Sequence, residues 1–429
     1  MTLVPDLVRA AASGAPSAPA LCFGDQTWTW ARFDAEVDSV ARALDVRPGQ
    51  YVPVHAGSAL ELLLTFHATA RRGAVFVPFN ARLTEREVEA LLTQVPHGSA
   101  PEGVRAGLFT SGTTGVPRLV QLSEANFLAS ALANAANLGD ASSQRWLGTL
   151  PLFHVGGLAM AHRCAVYGAC LVLEPSFSAE RAASLLGSGA VTHASLVPTT
   201  LERVLDAAQA RRFTAVQAVL VGGGPMTSSL LRRARKAGLP VLQTWGLTEA
   251  CSQVTTERLD EADGTTAGPP LPGLSVRIVD ERGVCLPSGV IGEIEVCGPT
   301  LAHGLGPWLA TKDLGSLDSR GRLTIASRRV DLIISGGENV YPLEVEAALR
   351  EHPDVVDVAV VSRPDAHWGQ VPVAFVVERA PVSDVGLEAH ARAHLAAFKV
   401  PKRWVRVQAL PRNALGKLDR LALGRAAID

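Results

Sequence analysis

The stretch Leu108-Phe-Thr-Ser-Gly-Thr-Thr-Gly-Val-Pro-Arg-Leu-Val120 decides the reading of this chain. An apolar run ends at Thr110, a loop rich in hydroxyls and glycines follows, and an apolar strand resumes after Pro117. Thr110, Ser111, Thr113 and Thr114 offer hydroxyls, while Gly112 and Gly115 remove the steric bar to unusual dihedrals. Such a loop can curl backbone N–H and side-chain O–H groups around a phosphate, with Arg118 adding a fixed positive charge. The bland alternative is a surface turn, since Ser, Thr and Gly are common turn formers, but the flanking apolar strands weigh against it. The loop is not a Walker A motif, which ends in Gly-Lys-Ser/Thr, a tripeptide this chain lacks.

The chain's 429 residues exceed what one core normally covers, so two domains, or one large and one small, are expected. Lys plus Arg (40) nearly balances Asp plus Glu (41), which gives no support to a nucleic-acid partner or a polybasic membrane patch. Only five of the cations are lysines, so each lysine is informative. The six cysteines show no C-x-x-C pair or ligand spacing and read as reduced thiols of a cytoplasmic protein. The N-terminus lacks a basic region ahead of an apolar one, so no signal peptide is expected. The longest apolar stretch, Gly157 to Leu173, is broken by His162 and Arg163, so no membrane insertion is expected.

Residues 28 to 97 alternate helix-like and strand-like segments: helix Trp30 to Leu44, strand Tyr51 to His55, helix Ala59 to Ala70, buried strand Gly73 to Asn80, helix Thr84 to Gln94. This alternation predicts an open α/β sheet with helices on both faces. Ser123 predicts an N-cap for a helix through Asn137. A second α/β run extends to about residue 243 and includes the strand Ala218 to Val221 ending in Gly222, Gly223 and Gly224. That ending suits a close approach of backbone to ligand as well as an ordinary tight turn. From Gly268 to about Ile325, short strands with Gly and Pro turns predict a β-rich subdomain. Beyond Ser327 comes an α+β unit: strand Leu332 to Ile334, helix Pro342 to Arg350, strands Val355 to Val361 and Val371 to Val377, helix Ser383 to Leu395.

The Thr-Ser-Gly-Thr-Thr-Gly loop followed by Val-Pro-Arg resembles the nucleotide loop of adenylate-forming enzymes, which include acyl- and aryl-CoA synthetases, luciferase and peptide-synthetase adenylation domains. Further phrases fall in family order across residues 108 to 420. Trp245-Gly-Leu-Thr-Glu249 is similar to the aromatic-Gly-x-Thr-Glu motif. The resemblance implies an aromatic face for adenine at Trp245, a phosphate contact at Thr248 and a Mg²⁺ ligand at Glu249. Thr311-Lys-Asp313 aligns with the family's Thr-Gly-Asp, implying that Asp313 accepts the ribose hydroxyls. Lys312 departs from the usual Gly, Trp245 from the usual Tyr, and Arg118 from the usual Lys. Ser327-Arg-Arg-Val-Asp331 matches the hinge segment, with Arg328 at the ribose-contacting position and Ser327 where Asp or Lys is usual. Ser335-Gly-Gly-Glu-Asn-Val-Tyr-Pro342 looks like the loop along the pantetheine tunnel, with Gly336 and Gly337 allowing close passage of a slim ligand. Leu410-Pro-Arg-Asn-Ala-Leu-Gly-Lys417 places Lys417 as the adenylation lysine, a movable charge suited to bridging the attacking carboxylate and the α-phosphate.

The resemblance therefore implies a large adenylation domain over 1–327, built of layered α/β sheets with the β-rich subdomain. A small mobile α+β domain over 328–429 completes the fold. ATP, Mg²⁺ and coenzyme A are the implied cofactor and co-substrates. Within the family, the phrases at 151–158, 192–199, 334–342, 368–372 and 410–417 are most similar to o-succinylbenzoate–CoA ligases of menaquinone biosynthesis. Such a substrate carries two carboxylates, of which only the succinyl one is activated, so its benzoate needs a cation in an otherwise apolar pocket. Arg163 suits that need. A charge-assisted pair of this kind is worth roughly 1.5–3 kcal/mol, or about ten- to a hundredfold in selection. A snorkelling or salt-bridged helix arginine is the structural alternative. The resemblance also implies a polar substrate contact at Ser195 and a pocket histidine at His154.

Other readings stay open at this point: another aryl- or medium-chain acyl-CoA synthetase, a silent nucleotide binder that kept the fold, and an ADP-forming phosphotransferase, against which the absent Walker lysine argues. A peptide-synthetase module is not expected, because no carrier domain follows. The expected partners are small molecules, an aromatic dicarboxylate with ATP and CoA, while self-association into a homo-oligomer is left open.

Overall fold

The structure is a computed structural model that describes residues 6–111, 117–139, 141–209, 211–224, 226, 228–327, 333–340, 342–411 and 420–427. Contacts divide the chain into two compact units: Met1–Asn80, Val95–Phe109 and Leu119–Arg328 form one, and Ala81–Gln94, Thr110–Arg118 and Arg329–Asp429 the other.

The first unit is built around an eight-stranded sheet. Its strand order is Ser252–Thr256, Val241–Leu247, Ala218–Val221, His193–Leu196, Arg145–Gly148, Cys170–Leu173, Pro19–Phe23, Gln26–Thr29. The six inner strands run parallel, and each edge strand is antiparallel to its neighbour. Cys170–Leu173, His193–Leu196 and Ala218–Val221 are buried at every position, as parallel strands covered by helices on both faces must be. Side chains alternate between two cores. Trp146, Leu171, Ala218, Leu220 and Leu242 join one cluster with Phe66 and Phe127, while Leu147, Val172, Val219, Val221 and Val241 join the other. A one-residue slip of any strand would exchange these faces, so the register is fixed by burial.

A smaller sheet, Tyr51–Val54, Val75–Pro78, Val104–Ser111 and Pro117–Ser123, carries the strands either side of the hydroxyl-rich loop. Ser123 caps the following helix Glu124–Leu138, accepting from the Asn126 N–H while Asn126 Oδ1 accepts from the Ser123 N–H. The β-rich stretch forms the antiparallel sheet Ser275–Val279, Gly292–Cys297, Leu309–Leu317, Leu323–Ser327. The sequence reading assigned nothing before residue 28, where the structure has the helix Leu7–Gly14 and the hairpin Pro19–Phe23/Gln26–Thr29.

The apolar stretch from Gly157 to Leu173 resolves into the helix Val155–Tyr167, a left-handed turn at Gly168 and the strand Cys170–Leu173. The two polar residues that break it point apart, because successive helical residues are rotated by about 100°. His162 Nε2 bonds Glu124 Oε1 at 2.7 Å, and Glu124 Oε2 lies 3.1 Å from Arg105 Nε. Burial would raise the Glu124 carboxyl, but His162 and Arg105 hold it below its ordinary value. Removing one partner of such a buried set typically costs about 3–5 kcal/mol, so His162 is an anchor for the helix.

In the second unit, strands Glu338–Val340, Ile333–Ser335, Gly369–Glu378 and Val355–Asp365 form one sheet, with Arg403–Arg406 parallel to Gly369–Glu378. Helices Pro342–Arg350 and Asp384–His394 pack a core of Val345, Leu349, Val358, Val360, Val376 and Leu387. Lys399 Nζ bridges Glu87 Oε1 at 3.0 Å and Glu344 Oε1 at 2.7 Å, tying the helix Glu85–Leu92 to the helix Pro342–Arg350.

Gly246 shows how tightly the edge strands approach. A Cβ there would lie 1.6 Å from the Ser252 carbonyl oxygen, which is backbone and cannot swing away. Gly246→Ala is expected to destabilise the first unit by about 2–4 kcal/mol, since the strand pair itself must shift. Equilibrium urea unfolding reads this as a lower midpoint, and an unchanged midpoint would contradict the close approach.

Candidate active site

Three glycines close the strand Ala218–Val221, and each has a packing reason. A Cβ on Gly222 would meet Thr244 Cγ2 and the Thr244 carbonyl oxygen at 2.8 Å. Gly223 adopts φ +73° against Val197, and Gly224 faces Pro198. The glycine run is thereby seated on the strand Val241–Leu247, which carries the aromatic motif.

Trp245 on that strand is buried, in one core cluster with Ala250, Val254, Leu271 and Ile278. Its Nε1 donates to Asp313 Oδ2 at 3.1 Å, which joins two motifs 68 residues apart. Indole nitrogen can only donate and the carboxylate can only accept, so the pair fixes the orientation of Asp313. Lys312, beside it, takes φ +64°, the left-handed region usually left to glycine, and its N–H donates to Glu293 Oε1 at 3.0 Å. Thr248 and Glu249 lie half-buried in the single turn Thr248–Ala250, closed by a left-handed Cys251.

A second group lies beneath the helix Val155–Tyr167, which follows the half-buried His154 as its N-cap residue. Arg163 is 2% exposed. Its Nη2 donates to Gln253 Oε1 at 2.8 Å and its guanidinium sits 5.0 Å from the Trp146 ring. Its Nε and Nη1 are buried without a hydrogen-bond partner, and among the described residues no carboxylate pairs with it. Burial pulls its pKa below the ordinary value, yet a guanidinium stays charged. Trp146 and His193 face each other across paired strands at 5.0 Å, and Ser195, two residues on from His193, lies on the same face. Ser195 is 8% exposed, and its carbonyl accepts from Thr149 Oγ1 at 2.7 Å.

The first unit thus brings together Gly222–Gly224 with Thr244, Trp245 with Asp313, and Arg163 with Trp146 and Gln253. Thr110 and Ser111 end the strand Val104–Ser111, and Arg118 is exposed near the start of Pro117–Ser123. In the second unit, Gly336 and Gly337 form the two-residue turn between Ile333–Ser335 and Glu338–Val340, both at positive φ. A Cβ on Gly336 would strike the Trp368 ring at 2.6 Å. Gly112, Thr113, Thr114, Gly115, Arg328 and Lys417 lie outside the described residues. Sequence reasoning missed Trp146, His193 and Gln253. His193 stood inside a quoted phrase, but nothing local marked Gln253, which meets Arg163 across 90 residues.

Burial, with Arg163 nearby, pulls the His193 imidazole down to about 4 from 6.5. Between those values the unfolded chain takes up a proton that the folded one refuses, so the contribution of neutral His193 is complete above pH 6.5 and is lost as pH falls toward 4. Comparing wild type with His193→Gln by urea unfolding, the stability difference should move against wild type by about 3 kcal/mol between pH 7 and pH 4. Parallel pH profiles would show that His193 is not held neutral.

The model of the family described as AMP-binding enzyme matches residues 8–97 and 94–305, and that of the AMP-binding enzyme C-terminal domain matches 344–417. A 2-succinylbenzoate–CoA ligase of Bacillus cereus is 34% identical over 475 aligned positions, covering 99% of this chain and 98% of that protein. A double mutant of the o-succinylbenzoate CoA synthetase of Bacillus subtilis, bound with its product analogue OSB-NCoA, has a TM-score of 0.91 at 32% identity, covering 98% of each chain. The Bacillus subtilis synthetase in complex with ATP and magnesium ion has a TM-score of 0.71 at 32% identity, covering 96% of this chain and 98% of that one. Matches of this extent, on a sheet that seats the Gly222–Gly224 turn against Thr244 and ties Trp245 to Asp313, make the chain a member of the AMP-binding enzyme family.

Proposed function

We propose that this protein joins 2-succinylbenzoate to coenzyme A through an acyl-adenylate. In the first half-reaction a substrate carboxylate oxygen attacks the α-phosphorus of ATP, and pyrophosphate leaves. In the second, the CoA sulfur attacks the acyl carbon and AMP leaves. The observation that carries the choice of acid is Arg163: a buried guanidinium, held by an amide, with two nitrogens unmet and, among the described residues, no carboxylate beside it. An unpaired buried charge costs several kcal/mol, and a second carboxylate on the substrate offsets that cost where a monocarboxylate would not.

On this reading residues 1–327 form the adenylation domain and 328–429 the small domain. The loop of Thr110, Ser111, Gly112, Thr113, Thr114 and Gly115 surrounds phosphate, with Arg118 beside it and Gly222–Gly224 along the nucleotide. Asp313, oriented by Trp245, accepts from the ribose, and Arg328 supports it. Thr248 contacts the α-phosphate. Among the described residues no cluster of three His, Cys, Asp or Glu side chains could hold a metal unaided. Mg²⁺ needs none, because it keeps several waters and takes one or two carboxylates with the substrate phosphates, a role that Glu249 fills. When bound, the ion offsets phosphate charge. Lys417 bridges carboxylate and α-phosphate during adenylation. Ser195 and His154 contact the acid, and Gly336 and Gly337 let the pantetheine arm pass.

The test is product analysis with ATP, Mg²⁺, CoA and a panel of 2-succinylbenzoate, benzoate and octanoate. AMP and a thioester from 2-succinylbenzoate alone are expected. In Arg163→Leu, kcat/KM for 2-succinylbenzoate should fall about ten- to a hundredfold while the KM for ATP moves little; an equal loss on both would sink the assignment. Lys417→Ala should lose about a hundredfold or more in adenylate formation while still making thioester from supplied acyl-adenylate. Loss of both half-reactions would make Lys417 a structural residue instead.

A further inference from the structure

Gln253 lies on the edge strand Ser252–Thr256, 6% exposed, and its amide is saturated. Oε1 accepts from Arg163 Nη2 at 2.8 Å and from Asn134 Nδ2 at 3.0 Å. Nε2 donates to Thr256 Oγ1 at 2.9 Å and reaches Thr244 Oγ1 at 3.4 Å. Because a guanidinium only donates, the atom facing it must be the oxygen, so chemistry fixes the orientation of the amide. Asn134 is itself buried and takes a bond from the Tyr167 hydroxyl at 3.3 Å, on the same helix as Arg163. Thr256 Oγ1 in turn donates to Thr244 Oγ1 at 3.0 Å, beside Trp245.

An amide and a carboxylate have nearly the same shape, but they act differently on a buried cation. A glutamate here would pair with Arg163, cancel its charge and compete with any anion brought by a substrate. The glutamine holds the guanidinium in place and leaves its charge uncompensated. The same side chain tethers that cation to the strand bearing the nucleotide motif.

We propose that Gln253 is a specificity-determining, positioning residue: it keeps Arg163 as an oriented but unneutralised cation, and so sets the preference for an acid with a second carboxylate. This inference rests on the role given to Arg163 in acid recognition. It adds that the neutrality of residue 253 is what makes the role work.

The experiment measures kcat and KM for 2-succinylbenzoate and for 4-oxo-4-phenylbutanoate, which lacks the ring carboxylate, in wild type, Gln253→Glu and Gln253→Met. Wild type should favour the diacid about tenfold or more. Gln253→Glu should lower that ratio about tenfold, chiefly through a higher KM for the diacid, because the new carboxylate occupies the cation. Gln253→Met, neutral and of similar volume but unable to hold the guanidinium, should lower the ratio by no more than about threefold, since orientation is lost while the charge stays uncompensated. If wild type shows no preference, the Arg163 reading fails and this one falls with it. If wild type prefers the diacid but Gln253→Glu keeps the ratio, or if both variants lower it equally, the proposal for Gln253 fails alone. Should Gln253→Glu not fold, Gln253→Met decides: a collapsed ratio with a neutral side chain overturns the charge argument.

Discussion

The Arg163 guanidinium lies in the apolar layer between the helix Val155–Tyr167 and the eight-stranded sheet, stacked on Trp146 and bonded to an amide. Taking such a charge out of water without a counter-charge costs several kcal/mol, so its surroundings must be rigid enough to hold it there. The neighbouring His162 supplies part of that rigidity by pinning the same helix to Glu124. Gln253, Asn134, Thr244 and Thr256 supply the rest as a hydrogen-bonded set whose members are largely buried. A network of this kind fixes geometry because each unmade bond inside it would leave a polar group stranded.

The sheet determines what the cation meets. With alternate side chains committed to two cores, His193 and Ser195 must share a face, and Trp146 must stand beside His193 on the adjacent strand. The same parallel arrangement brings the end of Ala218–Val221 next to Val241–Leu247, where glycine alone lets the backbone pass Thr244. The Arg163 cation and the strand that carries Trp245 are therefore linked through one strand pair. Under the proposed function, this link would keep acid and nucleotide in fixed relation, as a two-substrate adenylation requires.

Two departures from the family's motifs find physical accounts. Tryptophan in the aromatic motif has an N–H, and it uses that donor on Asp313, so the aromatic and Thr-Lys-Asp motifs become one hydrogen-bonded unit. Lysine in the place of glycine beside Asp313 sits in the left-handed region at φ +64°. That conformation costs a side-chain-bearing residue about 1–2 kcal/mol, and the bond from its N–H to Glu293 helps hold it.

The family, the order of the motifs and most of the elements are legible in the chain alone, because these are written in local chemistry. Ser123 announces a helix through its own hydroxyl, and Gly73 to Asn80 announces, through its run of apolar side chains, the buried strand found at Val75–Pro78. Local signals also suggested a break at His162 and Arg163, but not that one residue anchors a helix while the next is left as an unpaired cation. The N-terminal helix and hairpin escaped notice because they are short: a helix of eight residues and strands of five and four. Which residues meet emerges in the folded arrangement: Arg163 with Gln253 across 90 positions, Trp245 with Asp313 across 68, Lys399 with Glu87 across 312. Such pairings depend on strand order and on which face each side chain takes in the sheet, and neither is carried by the residues on either side of it in the chain.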